Sequence, residues 1–259
     1  MSRLNRYITE SRAQAIDEDK FIDLARKNCS DILKYYSNGS NKRIYRGGSL
    51  RSEFGYADVS KFEERKSRNT NNYYTLIMNH SKSWKQYPKR NLICSTDYMY
   101  ASGYGNKLSL VLPYNGVKIG VCSSDDIWDS FPTLDNLHSS VENLNYILSS
   151  ISEITIGKEI GDSNIQSFKK DLKEFDDKYD YKDILHGIKN NFFEDIIKDT
   201  LKLLYKGDMY KLIESLLDPV KNKFKLVKSG DKLPSNREVW MDGKVLFLDF
   251  NKIDILETL

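Results

Sequence analysis

Cysteine, histidine and long apolar runs are scarce in this sequence, and each scarcity excludes a class of protein. The 259 residues include three cysteines, Cys29, Cys94 and Cys122, which are widely spaced and form no CxxC pair. An odd, dispersed set of this kind argues against a disulfide framework or a zinc site and predicts a reducing compartment. The three histidines are scattered, which leaves little room for a histidine-based metal site or a catalytic triad.

A signal sequence, a membrane-spanning run and an excess of one charge are also missing. Residues 1–19 are polar, and no stretch approaches the ~20 apolar residues needed to cross a bilayer. Lys and Arg number 40 and Asp and Glu 37, for a formal charge of +3. This near-balance argues against a dedicated duplex-DNA binder but permits a nucleic acid as a transient substrate. We therefore expect a soluble cytoplasmic protein without membrane contact, in the host cell if it is encoded by a phage.

The apolar pattern predicts a mixed α+β fold with a helical insertion. Hydrophobic residues make up 39% of the chain, enough for a core. Apolar residues recur at helical spacing over 19–36 and through 133–222, whereas 51–70 is charged and reads as loop and exposed helix. Short apolar runs elsewhere predict strands, including two hairpins that turn at 113–116 and at 242–243. We predict one domain over 1–259, with 133–222 inserted as a helical subdomain.

Three short motifs place polar side chains at the ends of predicted strands. Arg46 follows the strand at 44–45 and precedes two glycines, which allow a backbone to approach a ligand closely. Ser95 and Thr96 end the strand at 92–94, where hydroxyls can hold a neighbouring backbone, a ribose or a carboxylate. Glu238 begins the strand before the turn at 242–243. Taken singly, each motif also fits a surface arginine, a helix N-cap or an isolated strand-end acid.

The order and residue types of the three motifs resemble the Arg-Ser-Glu class of mono-ADP-ribosyltransferases, of the bacteriophage or bacterial-toxin type. In that class a YRG-like strand, an S-T strand and a strand with E-V before an apolar residue meet around NAD. The matching segments here are Tyr45-Arg46-Gly47, Ser95-Thr96-Asp97 and residues 236–240. The resemblance covers the β-rich parts, roughly residues 40–125 and 224–250, and implies a pair of small packed β-sheets with flanking helices.

The resemblance also implies a role for each matched residue. Glu238 would stabilise the oxocarbenium that forms on the ribose when nicotinamide leaves NAD. Arg46 would bind the pyrophosphate or ribose side of NAD, and Ser95 would orient Glu238 or the ribose. The implied catalytic residues are Glu238, Arg46 and Ser95. The implied NAD-binding residues are Arg46, Gly47, Ser95, Thr96, Tyr100 and Tyr104, with Tyr87 as another aromatic candidate. Asn236 and Trp240 would contact the acceptor, and no metal is expected.

Asn236, two residues before Glu238, departs from the class. Arginine-modifying members carry Glu at this position, and several members with other acceptors carry Gln. Asn forms hydrogen bonds but cannot act as a base, which disfavours arginine as the acceptor. Another protein side chain, a nucleic-acid base or ribose, and simple hydrolysis of NAD all stay open.

A non-catalytic binding module is the main alternative. In that interpretation Arg46, Ser95 and Glu238 form an incidental ion pair and caps, and the helical region docks a partner. A carboxylate-based glycosidase or nuclease is a further enzyme alternative, but it needs a second acid or a metal cluster. The sequence offers Glu238 no evident partner of that kind.

Overall fold

The structure, a computed structural model, describes residues 13–37, 42–48, 50, 52–64, 72–135, 148, 160–178 and 205–259. Helices and a large antiparallel sheet are both present, which confirms the α+β class. The chain divides into two compact units. The first comprises Met1–Arg65, Tyr87–Asp126 and Phe224–Leu259, and the second comprises Lys66–Gln86 and Ile127–Lys223. The second unit contains the predicted insertion at 133–222 and adds a segment that the sequence had not linked to it.

The described strands all belong to the first unit and form one antiparallel sheet. They are β1 (Gln14–Ala15), β2 (Tyr45–Gly48), β3 (Phe54–Asp58), β4 (Leu92–Ser95), β5 (Lys107–Pro113), β6 (Lys118–Val121), β7 (Lys225–Lys228), β8 (Glu238–Met241) and β9 (Lys244–Asp249). Their hydrogen-bonded order is β1-β3-β9-β5-β2-β4-β8-β6-β7. The three strands that carry the sequence motifs, β2, β4 and β8, are therefore consecutive neighbours.

A single residue pair joins the two halves of this sheet. β2 meets β4 only through Tyr45 and Ser95, whereas β2 shares four pairs with β5 and β4 shares four with β8. The sheet thus consists of a five-stranded group, β1-β3-β9-β5-β2, and a four-stranded group, β4-β8-β6-β7. The sequence predicted two small sheets, and the structure differs from that prediction because this bridge connects all nine strands.

The prediction of hairpins that turn at 113–116 and 242–243 is wrong, although the strands on either side of each turn are present. β5 pairs with β2 and β9, and β6 pairs with β8 and β7. In the same way β8 pairs with β4 and β6, while β9 pairs with β3 and β5. Both edges of each strand are already occupied, so consecutive strands cannot pair with each other. Each tight turn instead carries the chain from one strand group to the other.

Two helices, α1 (Glu18–Asn28) and α2 (Ser30–Ser37), replace the single helix predicted over 19–36. Asp17 caps α1 by accepting a hydrogen bond from the Lys20 amide at 2.8 Å. The break falls at Cys29, whose φ of −118° and ψ of 20° are not helical. Both helices bury an apolar stripe, and the Tyr36 hydroxyl donates to the Val111 carbonyl at 2.9 Å.

The prediction of loop and exposed helix for 51–70 is wrong over β3, which is a buried strand. Phe54 and Ala57 are buried, and β3 shares five residue pairs with β9. The first unit also contains α4 (Tyr98–Ser102), which Asp97 caps, and a C-terminal 3₁₀ segment, Phe250–Thr258. Residues 65–71 lie outside the described part of the chain.

The second unit is helical where it is described. Its helices are α3 (Tyr73–His80), α5 (Pro132–Asp135), α6 (Ile165–Lys178) and α7 (Met209–Leu216). α6 buries the predicted stripe that includes Phe168, Leu172 and Phe175. Trp84 is buried and its indole N–H donates to the Leu217 carbonyl at 2.8 Å, so this aromatic belongs to the core of the second unit. Of the helical region predicted over 133–222, residues 136–147, 149–159 and 179–204 lie outside the described part of the chain.

Candidate functional site

The three motifs come together at one place in the sheet. Ser95, at the end of β4, pairs with Tyr45 of β2 on one side and with Glu238 of β8 on the other. Residues directly opposite each other on antiparallel strands project from the same face. Ser95 and Glu238 therefore share a face, whereas Arg46, one residue after Tyr45, projects from the opposite face because side chains alternate along a strand. Residues far apart in the chain are brought into register here.

The Ser95 and Thr96 hydroxyls fix the backbone just before Glu238. Thr96 Oγ1 accepts a hydrogen bond from the Arg237 amide at 3.0 Å, and the Thr96 amide donates to the Arg237 carbonyl at 2.9 Å. Ser95 Oγ contacts the same carbonyl at 3.5 Å and accepts from the Asp97 amide at 2.9 Å. The hydroxyls thus hold the start of β8, and through it the position of Glu238, rather than the carboxylate itself.

Arg46 links β2 to β4 where the ladder between them stops. Its Nη1 donates to the carbonyl of Ile93, two residues before Ser95. Beyond the pair of Tyr45 and Ser95 no further ladder pair joins the two described strands. The guanidinium therefore lies where the two strand groups separate, next to an edge of β2 that no described strand covers. A cationic group at such a gap can meet an anion.

Glu238 forms a buried ion pair with Arg90. Arg90 Nη2 donates to Glu238 Oε1 at 2.6 Å, and the two residues are 8% and 6% exposed. A carboxylate removed from water needs such a partner, because an unpaired buried charge is strongly destabilising. The guanidinium therefore fixes the carboxylate and balances its charge inside the first unit.

The two oxygens of Glu238 differ in their surroundings. Oε1 accepts from Arg90 and lies 3.9 Å from the Cys122 sulfur, which is a weak contact. Oε2 makes no hydrogen bond with a described residue, and it is not among the fully enclosed atoms that lack a partner. Side-chain exposure of 7% remains. The carboxylate is thus held through one oxygen, and the other can accept a hydrogen bond from a ligand.

Arg90 is the site residue that sequence reasoning missed. It lies in the loop before β4 and is 148 positions away from Glu238. The only local signal is a basic Lys89-Arg90 pair just ahead of a motif strand, which also describes many surface loops. Its partner becomes visible only when β4 and β8 are placed side by side.

Gly47 is required by packing. A Cβ at this position would lie 2.0 Å from the Ala101 carbonyl oxygen of α4, whereas a Cβ at Gly48 would meet nothing within 4 Å. The close backbone approach that the sequence attributed to a ligand is therefore made by α4. This contact seats α4, with its aromatic side chains, against β2.

Tyr100 and Tyr104 form an aromatic pair near α4, with ring centroids 5.4 Å apart. The Tyr100 hydroxyl donates to Asp126 Oδ2. Burial, and then the hydrogen bond to Asp126, raise the pKa of Tyr100, so this phenol stays protonated at neutral pH. Tyr104 is 57% exposed, which leaves much of its ring open to solvent. The pair provides an aromatic surface in the first unit.

Asn236 has a conformational role that the sequence did not reveal. Its φ is +52°, in the left-handed region that Asn tolerates better than most residues with a side chain. Its carbonyl accepts a hydrogen bond from Arg237 Nη1 at 2.7 Å, and the residue is exposed. Backbone geometry therefore explains why Asn rather than Glu or Gln occupies this position, without reference to an acceptor.

Trp240 does not contact an acceptor, which corrects that prediction. The residue is 0% exposed, its indole N–H donates to the Pro88 carbonyl at 2.9 Å, and its ring lies over the position of Gly120. Tyr87 stacks on it at an interplanar angle of 21°, which makes Tyr87 part of the core cover. Both aromatics stabilise the four-stranded group instead of lining a binding surface.

Comparisons with protein-family models, curated proteins and solved structures give no match to this chain. Among the described residues, no group of three or more His, Cys, Asp or Glu side chains is arranged to hold a metal ion. In the same part of the chain, no helix combines the length and apolar character needed to cross a bilayer.

Proposed function

We propose that the chain is a mono-ADP-ribosyltransferase that cleaves NAD at the junction of β2, β4 and β8. The observation that carries the proposal is the register of the motif strands, which places Ser95 directly between Tyr45 and Glu238. Three weak motifs converge on neighbouring strands, although they are far apart in the chain. Incidental turns and caps have no reason to be brought together in this way.

Glu238 is the residue on which the chemistry depends. Cleavage breaks the bond between ribose C1′ and the nicotinamide nitrogen, so nicotinamide leaves neutral and positive charge develops on the ribose. A fixed carboxylate stabilises that charge without reorganising during the reaction. Arg90 holds Oε1, and Oε2 is left to accept a hydrogen bond from the ribose 2′-hydroxyl. Arg90 is thus proposed to position Glu238.

Arg46 is proposed to bind the negatively charged side of NAD. Its guanidinium lies beside the part of β2 that no longer pairs with β4. Tyr100 and Tyr104 supply rings for stacking on nicotinamide. Ser95 and Thr96 act through the backbone of Arg237, which they hold in place.

The acceptor is proposed to be a macromolecule, either a protein side chain other than arginine or a nucleic acid. The near-balanced charge fits transient contact with either. Trp240 is buried and does not select between them, whereas the exposed Asn236, two residues before Glu238, stays a candidate for contact with the acceptor. NAD is a substrate in this scheme, and water can replace the acceptor.

The proposal is tested with the unmodified protein and NAD. We expect NAD to raise the melting temperature in a concentration-dependent way, because a ligand that binds only the folded chain stabilises it. Chromatography of the same mixture should show nicotinamide released in proportion to enzyme and time. Absence of both effects at millimolar NAD would count against a transferase.

One observation favours the second candidate, a non-catalytic module. The Glu238–Arg90 pair is buried and charge-balanced, as expected of a structural contact. If the pair is only structural, replacing Arg46 by Gln should leave the NAD melting curve unchanged. In the transferase, the same replacement should reduce the NAD-induced shift.

A further inference from the structure

A cavity of about 800 Å³ opens in the first unit between α2 and the C-terminal segment Phe250–Thr258. α2 lines it with one face, because Ser30, Leu33, Lys34 and Ser37 follow the three- and four-residue spacing of helix neighbours. The volume is within the range of roughly 300–1,000 Å³ found for small-molecule sites. No residue proposed above for NAD lines this cavity.

Three cationic side chains line the cavity without a carboxylate partner in the described chain: Arg26, Lys34 and Arg43. Arg26 uses one N–H on the Thr258 carbonyl at 2.7 Å, which ties α1 to the C-terminal segment. The Nε of Arg43 is fully enclosed and has no hydrogen-bond acceptor among the described residues. Because Nε is enclosed, an anion in the cavity can reach only the part of the Arg43 guanidinium that lines the cavity.

Arg43 is held in place by the backbone that follows it. The Ile44 amide donates to the Tyr36 hydroxyl at 3.1 Å, and that hydroxyl donates in turn to the Val111 carbonyl. Tyr36 therefore forms a fixed wall of the cavity and has no proton to offer a ligand. The planar fork of Arg43 matches the oxygens of a phosphate, and the Lys34 ammonium adds a second positive charge.

The C-terminal segment adds acidic side chains to the same cavity. Asp254 and Glu257 line the cavity and, within the described residues, form no ion pair. Carboxylates accept hydrogen bonds from hydroxyl and amino groups, and Leu33 and Leu256 supply apolar lining. A simple inorganic anion would contact only the cationic residues of the cavity.

We propose that this cavity binds a nucleotide. Its phosphate lies against Arg43 and Lys34, its ribose hydroxyls or base amino group bond Asp254 and Glu257, and its base contacts the leucines. A nucleotide carries all three kinds of group, which a free phosphate or a nucleoside does not. The site is distinct from Glu238, and the inference does not depend on the proposed transferase activity.

Calorimetric titration of the full chain with adenosine 5′-monophosphate, adenosine and inorganic phosphate tests this assignment. The monophosphate should bind saturably, with the other two at least about tenfold weaker. Arg43→Met and Lys34→Ala should each weaken the monophosphate about tenfold, the loss expected for one charge-assisted contact. Lys34 is exposed, so its replacement does not threaten folding. Lys27→Ala, an exposed lysine of α1 outside this cavity, is the matched control and should bind normally.

Several results would overturn the assignment. If inorganic phosphate binds as tightly as the monophosphate, only the cationic residues contribute to binding and the ribose and base are not recognised. Normal affinity in both Arg43→Met and Lys34→Ala would place the binding elsewhere, and no saturable binding at millimolar monophosphate would remove the site. Glu238→Gln should leave this binding unchanged, so failure of the transferase proposal can be distinguished from failure of this one.

Discussion

Glu238 and Arg90 decide how the candidate site is interpreted at the level of single residues. The carboxylate is enclosed, paired through Oε1 and surrounded by the backbone that Ser95 and Thr96 fix. Such a pair gives little net stability, because the cost of desolvating both charges offsets their attraction. Losing one partner is a different matter, since it leaves the other charge buried alone.

The strength of this coupling is open to direct measurement. We expect Arg90→Met to lower the free energy of unfolding by about 3 kcal/mol, because Glu238 loses its counter-charge. The double variant Arg90→Met with Glu238→Gln should recover at least about 1 kcal/mol relative to the sum of the single changes. Urea unfolding monitored by circular dichroism gives these values.

An exposed ion pair provides the comparison for this double-mutant cycle of Arg90 and Glu238. Lys173 and Asp177 are 2.7 Å apart, but their side chains are 73% and 59% exposed. The same double-mutant cycle on this pair should give a coupling below about 0.5 kcal/mol. Equal coupling in the two pairs would show that Glu238 and Arg90 are not buried together in solution.

The two adjacent glycines of β2 give a second prediction at this scale. Gly47→Ala should destabilise the chain by about 2 kcal/mol, because its Cβ would overlap the Ala101 carbonyl oxygen. Gly48→Ala should change stability by less than about 0.5 kcal/mol, since nothing lies within 4 Å of that Cβ. Thermal unfolding of the two variants checks this, and similar losses in both would mean that α4 is not seated on Gly47.

At the level of elements, short local signals set the helix ends. Asp208 caps α7 and accepts a hydrogen bond from the Lys211 amide at 2.9 Å. Burial alone raises the pKa of Asp208, but the hydrogen bonds from Lys211 outweigh it and leave the pKa below its usual value. A lowered folded-state pKa stabilises the fold above the unfolded pKa, and this contribution is lost as the pH falls through the folded value.

The cap therefore predicts a pH-dependent loss in one variant. Asp208→Ala should cost about 1 kcal/mol at pH 7, the usual effect of removing an N-cap. The difference from the unmodified chain should shrink in acid, as the pH falls through the lowered pKa of Asp208 and the carboxylate becomes protonated. Asp208→Asn keeps an acceptor and should lose less at pH 7. Urea unfolding at several pH values measures this difference in stability. A loss of stability in Asp208→Ala that does not change with pH would contradict the electrostatic part of this account.

The predicted strands are marked by the residues within them, whereas the missed strand depends on pairing with a distant part of the chain. β4, β5, β8 and β9 are runs of apolar residues, so their presence follows from the sequence. β3 was missed because Phe54 and Tyr56 lie among charged residues and the strand is stabilised by β9, nearly two hundred positions later. Tight turns at 113–116 and 242–243 resemble hairpin turns locally, and only the pairing of other strands reveals that they are crossovers.

At the level of the whole molecule, the candidate site depends on the single bridge between the two strand groups. The sequence supplied Arg46, Ser95 and Glu238 and their order along the chain. It could not supply Arg90, because that contact depends on strands from distant parts of the chain becoming neighbours. It also misassigned Trp240, since a buried aromatic and a surface one look alike on an alternating strand.

The most direct test of the central claim replaces the Glu238 carboxylate and follows nicotinamide release from NAD. Glu238→Gln should reduce release at least about a hundredfold, the range found when one preorganised electrostatic group is lost, while the NAD-induced melting shift persists. Asp249→Asn is the control, because Asp249 is also a buried strand-end acid but lies in the other strand group. Normal release by Asp249→Asn with loss in Glu238→Gln is the predicted result. Full release by a folded Glu238→Gln protein would contradict the account.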